Sequence, residues 1–181
     1  PSRKRRLKAY SRSSSISFQK VKGVNQLNID YYDCDAQYNP TELGFLPRNN
    51  FLGFYGRYRW TGYTATRKLL RRNFSAESNL EYLYKPTKFS YWSINTEYVI
   101  TTKKFLSTGF SLNYYPLGEQ DFFESRTFGI PVRFPASFQD GGFYSSDYSK
   151  RFALDFYAYH RVYDRKGMSN LDLNMSPRIR I

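Results

Sequence analysis

From residue 92 to 100 the chain reads WSINTEYVI. Every second side chain there, Trp92, Ile94, Thr96, Tyr98 and Ile100, is apolar or neutral, and Ser93, Asn95 and Glu97 between them are polar, with Val99 out of step. A period of two belongs to a strand, because successive side chains leave a pleated backbone on opposite faces. The alternation recurs along nearly the whole chain. Leu27, Ile29 and Tyr31 make one stripe; Leu52, Phe54, Gly56, Tyr58 and Trp60 a second; Phe74, Ala76, Leu80, Tyr82 and Tyr84 a third. After the stretch at 92–100 come Leu106, Thr108, Phe110, Leu112 and Tyr114, then Phe128, Ile130, Val132 and Phe134. Phe152, Leu154, Phe156, Ala158 and Val162 follow, and Leu171, Leu173, Met175, Ile179 and Ile181 close the series, with a weaker pair, Ile16 and Phe18, ahead of them all. No helical period competes.

Eight or nine such strands are predicted, each longer than the usual soluble strand of about five or six residues. They match the roughly 9–11 residues a tilted strand needs to cross a bilayer. The pattern therefore predicts an all-β, antiparallel, up-and-down transmembrane β-barrel, or a partial barrel of about eight or nine strands from a larger one. Turns at YKPTKF and DRKG, with Pro86 and Gly167, suit antiparallel hairpins. The competing architecture is a soluble β-sandwich or lipocalin-like barrel, a ligand- or polyanion-binding module whose apolar stripe would face inward.

Two features favour the membrane. Trp60, Tyr82, Tyr84, Trp92, Tyr98 and Tyr114 fall toward strand ends, where a membrane girdle places amphipathic rings. The opposite stripe is charged: Arg57, Arg59, Glu77, Glu81, Glu97, Arg133, Asp155, Arg161, Asp172, Arg178 and Arg180 are the candidates for side chains pointing into a wet lumen, where they pair across strands or prefer anionic solutes.

Composition agrees. Aromatic residues make up a fifth of the 181 residues, a bias that favours strands. The whole chain reads as a single barrel segment, with residues 1–13 a basic, flexible or loop stretch. It opens at Pro1, without Met or the regions of a signal peptide, and is read as a mature or excised segment. The formal net charge of +13 is concentrated in SRKRRLK, in RKLLRR (67–72), expected as a loop, and in PRIRI. Such clusters suit the anionic headgroups of phospholipid or lipopolysaccharide; no RNP-like or helix-turn-helix pattern supports nucleic acid. Cys34 is the sole cysteine, which gives neither a disulfide framework nor a thiolate cluster for a metal, and no cofactor is expected.

YNPTELGFLPRNN (38–50) and EQDFFESRTFGIPVRFP (119–135) are similar to the loop signatures of a family of C-terminal barrel domains, of unassigned function, from Bacteroidetes-type outer membranes. In that family the barrel follows a family-9 carbohydrate-binding module. The matching residues are Thr41, Glu42, Leu43, Gly44 and Phe45, with Glu42 where the family has Asp, and Asp121, Phe122, Phe123, Glu124, Ser125 and Arg126, with Ser125 in place of Pro. The resemblance implies an outer-membrane location, a carbohydrate-binding domain outside this fragment and possible contact with saccharide; some relatives carry hydrolase-type labels. The residues themselves offer no hydrolytic constellation. His160, the only histidine, lies on an apolar stripe, and the carboxylate pairs Asp121 with Glu124 and Asp33 with Asp35 lie in expected loops, where a glycosidase pair is a less natural reading than solvation, salt bridging or loose calcium binding.

Strand parity adds a spatial expectation. Four strands separate the signature loops (33–50 and 116–126), and an even number returns the chain to the same rim. Glu42, Asp121 or Glu124 would then pair with Arg48 or Arg126 and brace that mouth. The short turns KPTK and DRKG share this rim, and loops 61–72 and 136–150 take the other, which would make the signature rim periplasmic; the length of the 33–50 loop and the short TTKK turn run against that orientation.

Overall fold

A computed structural model describes residues 11–38, 48–124 and 130–180. It contains one antiparallel sheet. The strands are β1 Ser13–Lys20, β2 Asn25–Cys34, β3 Phe51–Gly62, β4 Leu69–Leu83, β5 Lys88–Thr102, β6 Ser107–Tyr115, β7 Glu119–Asp121, β8 Val132–Phe134, β9 Ser137–Ser145, β10 Phe152–Tyr163 and β11 Ser169–Ile179. Nine of them form a meander in the order β1-β2-β3-β4-β5-β6-β9-β10-β11, and no ladder joins β1 to β11, so the sheet is open.

The remaining two, β7 and β8, extend the β6–β9 hairpin. Beyond Tyr115 the chain turns at Gly118, whose φ of 70° suits glycine, and β7 continues alongside β5 with Glu119 opposite Tyr91. β8 returns beside β7, Glu119 facing Phe134 and Asp121 facing Val132.

This differs from the sequence reading in two places. Of the stripe expected from Phe128 to Phe134, the described residues supply only the three of β8; Phe128 lies outside them, and Pro131 and Pro135 flank a segment too short of backbone donors to carry a long ladder. Its place in the sheet is taken by β9, within a stretch expected as a loop, because Gly141, Gly142 and Asp140 interrupt its apolar period. The second difference lies at RKLLRR, where Leu69 to Arg72 already belong to β4. One strand has replaced another, so the parity is unchanged.

The ladder registers define two faces. On one, cross-strand rows run Asn25, Trp60, Phe74, Tyr98, Phe110, Gly142, Ala158, Leu173 and Phe18, Ile29, Gly56, Ser78, Ile94, Tyr114, Phe138, Val162. On the other, one row crosses all nine strands with polar side chains only: Gln19, Asn28, Arg57, Glu77, Asn95, Asn113, Gln139, Arg161 and Asn170. Burial is distributed against the usual sense. Large apolar side chains such as Ile29, Phe54, Phe110, Phe156 and Met175 are exposed, whereas on the other face Glu81, Ser93 and Asp155 are buried with Cys34, Leu83 and Ala153; Asp33, also buried, lies on the apolar face at the strand end, opposite Leu52. The enclosed face is the polar one.

The strand ends form two rims. One, the loop rim, carries the connections 35–50, 84–87, 116–136 and 164–168. Opposite it, the turn rim carries 21–24, 63–68, 103–106 and 146–151, all short.

Candidate functional site

Aromatic rings lie flat over glycines on the polar face. A Cβ on Gly53 would fall 2.3 Å from the Tyr32 ring, one on Gly109 2.5 Å from Phe143, and one on Gly141 2.3 Å from Tyr159. Each glycine is the cross-strand neighbour of its aromatic partner or lies directly beneath it, so the missing side chain lets the ring fold down along the sheet. Tyr32 uses this to reach two strands away: its hydroxyl donates to Asn79 Oδ1 at 2.9 Å.

That contact is part of a cluster at the loop rim. Arg48, entering from the long connection, grips Glu81 with both prongs of its guanidinium, Nη1 to Oε1 at 2.5 Å and Nη2 to Oε2 at 2.6 Å. Glu81 is 1% exposed, and a carboxylate so enclosed needs a charged, bidentate partner. Asn79 Nδ2 donates to the Tyr91 hydroxyl at 2.8 Å. The Arg48 guanidinium also sits 5.3 Å from the ring centres of Phe51 and of Phe123. Burial alone would lower the Arg48 pKa, but the hydrogen bond and charge of Glu81 more than reverse this and raise it. Phe123 belongs to the second signature segment, so the two segments meet at one rim, as the even strand count requires.

A second arginine closes the same rim on the far side of the sheet. The Arg161 guanidinium lies 4.8 Å from the centre of Tyr115 and 5.0 Å from that of Tyr163, and donates to Ser137 Oγ at 3.1 and 3.0 Å. Glu119 faces it from β7; burial raises the Glu119 pKa, Arg161 opposes the rise and Asp121 adds to it.

Below this mouth the polar row makes shallow depressions. One of about 260 Å³ is lined by Asn28, Tyr55, Arg57 and Arg59 among others; another of about 280 Å³ by Glu77, Asn95, Glu97, Asn113, Gln139 and Tyr159. Arg57 Nε is 2.9 Å from Glu77 Oε1. The oxygens Asn28 Oδ1 and Asn113 Oδ1 are buried and accept no protein hydrogen bond. Buried acceptors left in this way call for water or a hydroxyl-bearing ligand.

Among the lumen candidates, Arg57, Arg59, Glu77, Glu81, Glu97, Asp155, Arg161, Asp172 and Arg178 share the polar face, by their registers. Arg178 Nη2 lies 3.9 Å from Asp155 Oδ2, and Asp155 also accepts a short hydrogen bond from Tyr148. Arg180 follows β11 and its amide donates to Arg151 O. Arg133 does not belong to this face: Glu119 shares the polar side with its partner Tyr91, and on β8 Arg133 sits opposite Gln120, on the other side from Glu119 and Phe134.

The proposed brace takes a different form. Among the described residues Arg48 pairs with strand residue Glu81, and Asp121 Oδ1 accepts from the amides of Phe123 and Glu124, at 2.8 and 3.1 Å, capping its own turn. Glu42 and Arg126 lie outside the described residues. Asp33 accepts from Ser14 Oγ at 2.6 Å and from Arg12 at 3.3 Å, and Asp35 from the amides of Arg12 and Gln37; neither is poised as an acid–base pair with the other. His160 stands opposite Asp140 on the apolar face, Nδ1 3.9 Å from Oδ1, near the loop-rim end of β9 and β10.

Of the girdle candidates, Tyr82, Tyr84, Trp92 and Tyr114 stand toward the loop rim, and Trp60 and Tyr98 share one row nearer the turn rim with Phe74 between them. The indole of Trp92 donates to Ser78 Oγ at 3.0 Å, and Arg72 covers Trp60 at 5.7 Å. Sequence reasoning missed Tyr32, Asn79, Tyr91 and the tyrosines flanking Arg161. The signal available for Tyr32 was Gly53 in the middle of a strand, which marks a close approach.

Fold and site together define an all-β protein with one open antiparallel sheet, apolar on its exposed face and polar on its enclosed one. The chain belongs to the family described as a domain of unknown function, DUF5916, whose family model matches residues 3–181. No curated protein and no solved structure matches it.

Proposed function

We propose that the chain forms part of the wall of a β-barrel in a Gram-negative outer membrane, anchoring the protein and lining a passage for a saccharide or other polar solute, with no chemistry of its own. The observation that carries this reading is the inversion of burial: exposed Ile29, Phe54, Phe110, Phe156 and Met175 on one face, enclosed Glu81, Ser93 and Asp155 on the other. Water outside would penalise such an apolar face, whereas lipid solvates it. The similarity of its loops to Bacteroidetes-type barrel domains supports the same reading, as does the row of amides and paired charges that offers hydrogen bonds to hydroxyls.

In a bilayer no strand edge is left unpaired. The open edges of β1 and β11 are therefore completed by further strands. Outer-membrane barrels keep short turns on the periplasmic side. The connections of 63–68 and 146–151 are short, so the turn rim is periplasmic and the Arg48 mouth outward, the reverse of the orientation drawn from the sequence, which had counted β9 as loop.

Extraction decides between this and a soluble binding module. The protein is expected to need detergent or lipid to remain dispersed and to resist unfolding once inserted. A stable monomer in plain buffer contradicts the proposal.

A further inference from the structure

The rims differ in charge. The four connections of the turn rim carry Lys22, Arg67, Lys68, Lys103, Lys104, Lys150 and Arg151 against the single carboxylate Asp147, whereas the described loop-rim connections carry five acids and five cations. Three of the turn-rim segments converge: the amide of Lys103 donates to Lys68 O at 3.0 Å, joining 63–68 to the β5–β6 turn, and 146–152 closes the third side. Together they line a pocket of about 600 Å³ with Arg67, Lys68, Lys103, Lys104 and Lys150, against the one carboxylate Asp147, whose Oδ2 lies 4.0 Å from Lys150 Nζ.

The floor of this pocket is apolar. Tyr144 and Phe152 project from the apolar face, Tyr144 opposite Thr108 and Phe156, and Phe152 opposite Ile179; they are 42% and 57% exposed, and Leu106 completes the floor. At the tip of the same turn Phe105, held at φ 57°, is 62% exposed beside Lys103 and Lys104. Cations above an apolar groove, with an aromatic ring presented at the same level, match an amphiphile with a phosphate at the interface and a chain below it. A free anion would use the cations and leave the groove empty.

We propose that this pocket binds the headgroup of an anionic glycerophospholipid in the leaflet at the turn rim, the phosphodiester among the five cations and an acyl chain along Leu106, Tyr144 and Phe152. The proposal rests on the membrane reading. A glycerophospholipid fits better than lipopolysaccharide because the four short connections mark the periplasmic side, where the leaflet is phospholipid.

The test titrates phosphatidylglycerol, phosphatidylcholine and lipid A into the protein in neutral detergent, read by native mass spectrometry, and repeats it with Lys103→Glu/Lys104→Glu, with Arg67→Ala/Lys68→Ala and with the loop-rim control Lys166→Glu. Phosphatidylglycerol is expected to bind at least about tenfold more tightly than phosphatidylcholine. Each cation removed should weaken it about fivefold, with the control unchanged and phosphatidylcholine unaffected. The two double variants alter separate segments, so a folding defect in one leaves the other informative, and strand content by circular dichroism identifies it. Equal affinity for both glycerophospholipids, or affinity insensitive to both double variants, overturns the proposal; stronger, equally sensitive binding of lipid A overturns the choice of lipid. Insertion into neutral vesicles is scored separately: failure there removes the membrane reading itself, whereas insertion without phosphatidylglycerol preference removes only this site.

Discussion

Arg48 and Glu81 form a two-pronged ion pair across the loop rim, at 2.5 and 2.6 Å, with the carboxylate 1% exposed and the guanidinium against Phe51 and Phe123. One end of the pair is fixed in β4 and the other comes from a long connection, so the contact holds that connection over the polar face. Removing the arginine alone strands a buried charge. Arg48→Ala is expected to cost about 3 kcal/mol, the lower end of the range for broken buried pairs because Arg48 is partly exposed. Arg48→Met/Glu81→Leu should lose far less. Denaturant unfolding in micelles measures both, and similar losses for the single and double variants contradict the assignment.

Gly53 gives Tyr32 its path to Asn79. In Gly53→Val the new side chain must displace the Tyr32 ring, since even a Cβ falls 2.3 Å from it. The hydrogen bond at 2.9 Å is then lost, and destabilisation of about 1–3 kcal/mol is expected from overpacking. Adding Tyr32→Ala should relieve most of the overpacking. If the double variant is as unstable as the sum of the two single changes, the ring does not occupy that space.

The two faces should respond oppositely to the same substitution. Phe110 is exposed on the apolar face beside Tyr98 and Gly142; Asn113 lies in the polar row. Phe110→Arg is expected to cost roughly 2–4 kcal/mol in a bilayer, and Asn113→Arg much less. Leu112 is a poorer probe, because its neighbour Asp140 would receive the new cation. Equal tolerance at 110 and 113, measured by unfolding from vesicles, contradicts the face assignment.

The β7–β8 hairpin should be pH-sensitive through Glu119. Burial raises its folded pKa, against the opposing charge of Arg161, so the folded hairpin holds the proton more tightly than the unfolded chain does. Its stability is therefore full at low pH and declines as pH rises from the ordinary glutamate value, about 4.3, through the raised one. Glu119→Gln removes this decline. Protease susceptibility of the 116–136 segment across that window tests it: identical pH profiles for wild type and Glu119→Gln contradict the effect.

How far the sequence discloses this molecule depends on how regular each strand is. WSINTEYVI sits within β5 and keeps its two faces in register with β4 and β6, since period two carries the information directly. β9 is illegible by that test: Asp140 stands on the apolar face and Phe143 on the polar one, with two glycines between them. Its place is fixed by neighbours, Gly109 making room for Phe143 and Gly141 for Tyr159. The stripe at 128–134 misleads for the converse reason, because alternation there is not matched by backbone donors beside Pro131 and Pro135. At the mouth, the sequence supplies Arg48 and Glu81 as separate candidates on loop and strand. Only the fold joins them, 33 residues apart, as it joins Arg67, Lys103 and Lys150 at the other rim.

Which face meets lipid is the central question, and depth-dependent quenching answers it most directly. After Cys34→Ser, single cysteines at 110, 112, 156 and 175 on the apolar face and at 111, 113, 139 and 157 on the polar face would each carry a fluorophore in reconstituted vesicles. Nitroxide-labelled acyl chains are expected to quench the first set strongly and aqueous iodide the second, alternating residue by residue from 110 to 113. Iodide quenching of 110, 112, 156 and 175 with no lipid quenching at any position would contradict the membrane-spanning account.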